Sequence, residues 1–91
     1  MRATKIKMRA GSYYSDSLLE IDQIYIIGAQ REGYYPKASV HDAVKCDPGS
    51  IQVDIWPYPN LIAAISPLGE KYVRSSPNNS TTDNLLKLPR E

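Results

Sequence analysis

The chain has no phenylalanine, one cysteine, one histidine and one tryptophan among its 91 residues, and its charges almost cancel. Each shortage removes a class of function. With a single thiol, Cys46, no internal disulfide can form. A structural zinc site takes about four ligands, and Cys46 with His41 cannot supply them, so no metal or other cofactor is expected. Eleven Lys+Arg stand against ten Asp+Glu. Domains that live on nucleic acid need a basic excess to neutralise phosphate, so DNA and RNA are disfavoured as partners. No stretch approaches the roughly 18 apolar residues that cross a bilayer, so no membrane role is expected. The opening residues, Met1 to Lys7, carry charge with no apolar run behind it, unlike a secretory signal. Together with the free thiol this points to the cytoplasm. Two overlapping glycosylation sequons, starting at Asn78 and Asn79, then have no meaning.

A chain of this length fits one β-rich domain, 1–91. It buries only about 60–65% of the surface its unfolded form exposes, so its stability margin is thin. Without disulfides or metals, association is the remaining common route to a margin, and a homo-oligomer is expected.

Thr4 to Ala10 alternates, with Ile6, Met8 and Ala10 on one side and Lys5, Lys7 and Arg9 on the other. That period of two predicts a half-buried strand. The lysine side reads as a solvated face that blunts a sheet edge. Gly11 to Ser17 is a loop. Leu18 to Ile27 predicts a central strand buried on both faces, ended by Gly28. Ala29 to Pro36 reads as a second loop. Ser39 with Asp42 suggests a capping box for a short helix whose apolar side is Val40, Ala43 and Val44. Asp47-Pro48-Gly49 stops it. Three more strands follow: Ile51 to Trp56, Leu61 to Ile65 and Lys71 to Ser75, separated by turns at Pro57–Asn60 and Ser66–Gly69. After the polar stretch from Ser75 to Asn84, the leucines Leu85, Leu86 and Leu88 are expected to dock back on the core. The fold class is α+β: a small antiparallel meander of about five strands, one short helix on one face, and a returning C-terminal segment.

Tyr72-Val73-Arg74-Ser75, a polar loop, then Thr82-Asp83-Asn84-Leu85-Leu86-Lys87-Leu88-Pro89 resembles the C-terminal signature of the DUF3892 family, small bacterial proteins of unknown function. Gln23 to Gly28 is similar to that family's "I-x-x-I-G" strand, and Ser39 to Cys46 sits where it has a short helix. Ser75 departs from the family's usual threonine, and Ser76-Pro77-Asn78-Asn79 replaces an acidic, glycine-containing loop. The resemblance implies a fold more than an activity.

No pairing of His41 with a nucleophile and an orienting acid can be read from spacing, and the carboxylates are scattered, so an enzyme is not indicated. His41 reads as a surface residue near the helix start. Cys46 reads as inert and partly buried at the helix end. Seven tyrosines and one tryptophan are the most unusual feature. Tyr34, Tyr35, Trp56 and Tyr58 fall at predicted strand ends or loops. There they could form an aromatic cluster for a ligand or partner, or simply replace phenylalanine in a thin core with a wet rim. Arg74, Ser75, Asn78, Asn79, Asp83 and Asn84 form the other candidate site. Arginine there could hold a phosphate or carboxylate among short donors. Equally, Asp83 could pair with Arg74 while Asn84 caps the following turn, purely to close the C-terminus.

The leading expectation is a non-enzymatic module that binds an anionic small molecule such as a nucleotide signal, acting by sequestration in the manner of phage decoys. The alternative is a protein-interaction module, an inhibitor or adaptor of a host protein, using the tyrosine-rich loops and a strand edge.

Overall fold

A computed structural model describes residues 1–76 and 83–91. Its first strand, β1 (Arg2–Met8), pairs antiparallel with β2 (Ile21–Ile27). The register shifts twice: Ala3 faces Ile26 and Lys5 faces Tyr25, leaving Thr4 as the extra residue of a bulge on β1, and Lys7 faces Gln23 while Met8 faces Ile21, leaving Asp22 extra on β2. Because a bulge shifts the period by one, Ala3, Ile6 and Met8 all point into the core while Arg2, Lys5 and Lys7 share the outer face. Ala10 lies beyond the strand and is exposed.

The predicted second strand begins late. Leu18–Glu20 forms a 3₁₀ turn, capped by the Ser17 hydroxyl accepting from the Leu19 N–H, and β2 follows. Ile21, Ile24 and Ile26 are buried, whereas Gln23, Tyr25 and Ile27 are half-buried, so β2 is central in the sheet but apolar on one face only. At its end Gly28 has φ +82°, and a Cβ there would come within 3.3 Å of the Met1 Cα. Both facts favour glycine.

The stretch expected as a loop before the helix contains a strand, β3 (Gly33–Pro36), antiparallel to β2. The α-helix α1 (Lys37–Cys46) starts directly after it, two residues ahead of Ser39. Pro36 occupies the cap position, so no side chain caps the helix, and Ser39 is exposed on its first turn. Pro36 brings no N–H of its own to satisfy, but the first-turn N–H groups have no side-chain acceptor at the cap. The buried side is Val40, His41 and Val44, with Lys37 also covered; Ala43 is exposed. His41 is therefore a core residue, 2% exposed, rather than a surface one. Cys46 is exposed, not partly buried.

The second half departs from a meander. The short strand β4 (Gln52–Val53) pairs parallel with β1, giving the order β3-β2-β1-β4. Strands β5 (Leu61–Ile65) and β6 (Lys71–Ser75) form a separate antiparallel hairpin, so six strands among the described residues divide into two sheets. Helix α1 packs on both β5 and β6 and on the ends of β2 and β3. It bridges the two sheets over the core of Ile6, Ile24, Val40, Val53, Leu61 and Val73. The tail does return. Asn84–Lys87 forms a 3₁₀ turn that buries Leu85 and Leu86, and Leu88 follows them into the core. Beyond it, the Ile6 N–H donates to the Pro89 carbonyl and the Glu91 N–H donates to the Ile6 carbonyl, at 2.9 and 3.0 Å. Beside β1, then, β4 takes one half of the outer edge and the C-terminal segment takes the other. The lysine face of β1 thus belongs to an interior strand and does not blunt an edge.

Candidate functional site

The C-terminal motif closes on itself. Asp83 Oδ1 accepts from the Ser75 hydroxyl at 2.8 Å and from the Leu85 N–H at 2.9 Å, while Oδ2 accepts from the Ser75 N–H at 3.0 Å. The Ser75 hydroxyl in turn accepts from the Asn84 N–H at 3.3 Å. Ser75 and Asn84 are buried, so these bonds are shielded from water. Asp83 thereby pins β6 to the tail, with its partner being Ser75 rather than Arg74. Arg74 lies opposite Ile62 on the outer face of the hairpin, half-buried, and forms no ion pair with any described residue. Asn78 and Asn79 lie outside the described residues.

The tyrosine pair on β3 splits, as neighbours on a strand must. Tyr35 turns inward, donating its hydroxyl to the Arg31 carbonyl. Its ring helps line an apolar cleft of about 200 Å³ with Met1, Ile26, Val40 and Ile51. Tyr34 turns outward, onto the face where the cations of β1 stand. There Tyr34 and Tyr25 meet edge to face at 5.0 Å between ring centres. The Lys5 Nζ sits 4.6 Å from the centre of the Tyr25 ring, and the Lys7 Nζ 5.2 Å from that of Tyr34. Further along β1, the Arg2 guanidinium lies 4.2 Å over the ring of Tyr58. Tyr58 is held there by a left-handed backbone, φ 58°, after the cis Trp56–Pro57 bond. Trp56 beside it is 78% exposed.

One outer face therefore joins two residues anticipated from their type, Tyr34 and Tyr58, with four that were not: Arg2, Lys5, Lys7 and Tyr25. Tyr35, Trp56 and the described members of the other candidate group, Arg74, Ser75, Asp83 and Asn84, do not join this set of cations over rings. The missed signal was the coincidence of two polar strand faces. Lys5 and Lys7 alternate out on β1, Tyr25 alternates out on β2, and pairing those strands in register puts lysine over tyrosine.

An acid bounds the face at each end. Asp54 takes a hydrogen bond from Arg2 at 2.9 Å, and Glu91 takes one from Lys5 at 3.2 Å. The Tyr34 hydroxyl is buried without a partner in hydrogen-bond geometry. Its pKa is pushed up to about 12, first by burial and then by the nearby Glu91 carboxylate. Glu91 itself is held below the usual carboxylate range by the Tyr34 hydroxyl and by Lys5. Since no bond of good geometry joins Tyr34 and Glu91, theirs is a contact of proximity and charge, open to rearrangement.

Other charged groups are occupied structurally. Glu70 pairs with the buried Lys37 and with Arg9, and these hold its pKa down, Lys37 foremost. Lys37 also donates to the Leu19 carbonyl. Asp42 is lowered by His41, at 3.0 Å, and by Lys71. Among the described residues no three His, Cys, Asp or Glu side chains gather as a metal site, and no helix is long and apolar enough to cross a membrane. The arrangement on the sheet face is suited to holding a negative, ring-bearing molecule: ammonium and guanidinium groups are already poised over aromatic faces.

The family model described as "Protein of unknown function (DUF3892)" matches residues 22–89. That span includes Tyr25, Tyr34, Tyr58 and Arg74 but leaves Arg2, Lys5 and Lys7 outside it. No curated protein and no solved structure matches the chain.

Proposed function

The chain belongs to the DUF3892 family, and from that premise we propose that it is a non-enzymatic binding module holding an anionic small molecule, a nucleotide above all, on the outer face of its four-stranded sheet. One observation carries the reading: on that face three cations each rest on a tyrosine ring, Arg2 on Tyr58, Lys5 on Tyr25 and Lys7 on Tyr34. Phosphate oxygens would draw the ammonium groups off the rings, and the uncovered aromatic surface would take a base by stacking. The flanking acids argue for a small ligand. Asp54 and Glu91 repel a polyanion that runs past either end of the face. The nearly neutral chain also lacks the field that gathers long nucleic acid.

Isothermal titration calorimetry with nucleoside mono-, di- and triphosphates and cyclic nucleotides tests this directly. At least one class is expected to bind, and the double variant Lys5→Gln/Lys7→Gln to weaken it by about tenfold or more, which is ~1.4 kcal/mol. The same variant should change folding stability by no more than about 1 kcal/mol, because Lys7 is exposed and the half-exposed Lys5 makes only a surface ion pair. Arg74→Ala should leave binding unchanged. No heat from any of these ligands, or equal affinity in the lysine double variant, rejects the reading.

A further inference from the structure

The hydrogen bonds of the β5–β6 hairpin reveal which of its groups are left over. The Ser66 N–H donates to the Glu70 carbonyl, and the Ser76 N–H donates to the Asn60 carbonyl. In an antiparallel pair bonded residues recur at every second position. Asn60, Ile62, Ala64 and Ser66 therefore bond inward to β6, and Leu61, Ala63 and Ile65 point their backbone groups the other way. Leu61 gives its N–H to the Ile51 carbonyl at 2.9 Å. The backbone groups of Ala63 and Ile65 have no backbone partner among the described residues.

Open edges are normally guarded by charge, proline or a covering segment. Here no charged residue lies between Asp54 and Glu70, and Ile65 and Leu68 are 57% and 96% exposed. We infer that this edge pairs with the same edge of a second copy, antiparallel, about a two-fold axis at Ala64.

That register follows from the leftover groups. With the axis at Ala64, Ala63 of each copy faces Ile65 of the other, and each pair exchanges its outward N–H and C=O groups. The next opposition, Leu61 with Pro67, needs no bond, since the Leu61 N–H is taken and proline has none. Side chains fit as well. Residues opposite one another in a sheet share a face, so the exposed Ile65 lies across from the small Ala63, on the helix side. There a groove of about 320 Å³ runs between β5 and the C-terminal end of α1, lined by Val44, Lys45, Pro48, Gly49, Leu61 and Ala63. Knob and groove sit on one edge, so a single two-fold operation fills both grooves, as an isologous contact requires. This contact is independent of the ligand face on β1.

Sedimentation equilibrium of the full chain, with native mass spectrometry, tests the inference. The wild-type chain should weigh as a dimer. Ile65→Lys should weigh as a monomer with an unchanged circular dichroism spectrum. Ala63→Pro should do the same, since it removes only an outward N–H. If Ala63→Pro fails to fold, Ile65→Lys decides alone, because that side chain is mostly in water already. A wild-type monomer up to about 1 mM, where even weak contacts of about 4 kcal/mol show, overturns the inference. So does a dimer that persists in folded Ile65→Lys, which would place the contact on another surface.

Discussion

Asp83 and Glu91 are carboxylates on the same C-terminal segment, and the regions around them differ in how their donors are held. Around Asp83 the donors are backbone N–H groups and one short hydroxyl, fixed in position, and the neighbouring Ser75 and Asn84 are buried. Its oxygens are taken up locally by neutral donors, and this cluster of described residues holds no cation for an anionic ligand. Around Glu91 the donors are a long lysine and a tyrosine hydroxyl that is close but unbonded, both on a half-exposed sheet face. The cations of that face have aromatic rings and scattered acids as partners, and on the proposed reading a phosphate would take their place. A polar cluster satisfied by backbone is fixed by the fold, whereas one satisfied by long side chains can rearrange without unfolding it.

The sharpest way to break that comparison is at the closure. Leu85 is fully buried, so Leu85→Ala should lower unfolding free energy by about 2–5 kcal/mol in urea denaturation. On a chain of thin margin that leaves a large unfolded fraction at room temperature. Loss of less than about 1 kcal/mol would show that the tail is not part of the cooperative core. Asp83→Ala removes the acceptor shared by Ser75 and Leu85 and should cost about 2 kcal/mol, since buried donors are left unpaired. At temperatures where the variant is folded, its affinity for any ligand of the sheet face should match the wild type. Weaker binding by the folded variant would erase the distinction between the two regions.

The smallest effect is a titration. Tyr34 has its pKa raised from 10 to about 12. A raised pKa means the protonated form is favoured in the fold, so this contribution is complete below pH 10 and is lost as pH rises through about 12. Ultraviolet titration of the phenolates should therefore find one tyrosine ionising late, and it should disappear in Tyr34→Phe. A late tyrosine that survives this substitution would place the buried hydroxyl elsewhere.

Much of the architecture was legible in local pattern. The alternation Lys5-Ile6-Lys7-Met8 marked β1, the run of isoleucines marked β2 as a central strand though not which of its faces is buried, and Pro-Gly grammar marked the β5–β6 turn. The leucines after Asn84 were legible as a docking segment because exposed leucines in a row are unfavourable anywhere else. Family membership, expected from a resemblance at the C-terminal residues and at the strand ending at Gly28, stands on a match across residues 22–89. The candidate site was only half legible. Tyr34 and Tyr58 stood out by type, but the cations over their rings did not. Lys5 and Lys7 look identical whether a strand lies at an edge or in the interior.

What the sequence determined by itself is therefore what depends on neighbours along the chain: period, turns, a short helix, and a tail too apolar to float. Tertiary structure alone decided what depends on contacts between distant residues. The bulge at Thr4 brought Arg2 onto the face of Lys5 and Lys7, and it is defined by pairing with β2. The parallel match of β4 to β1 divided an expected meander into two sheets. His41 became core because α1 packs over both sheets. Each of these is set by the energy of burying one face against another, and local periodicity carries no information about which face will meet which.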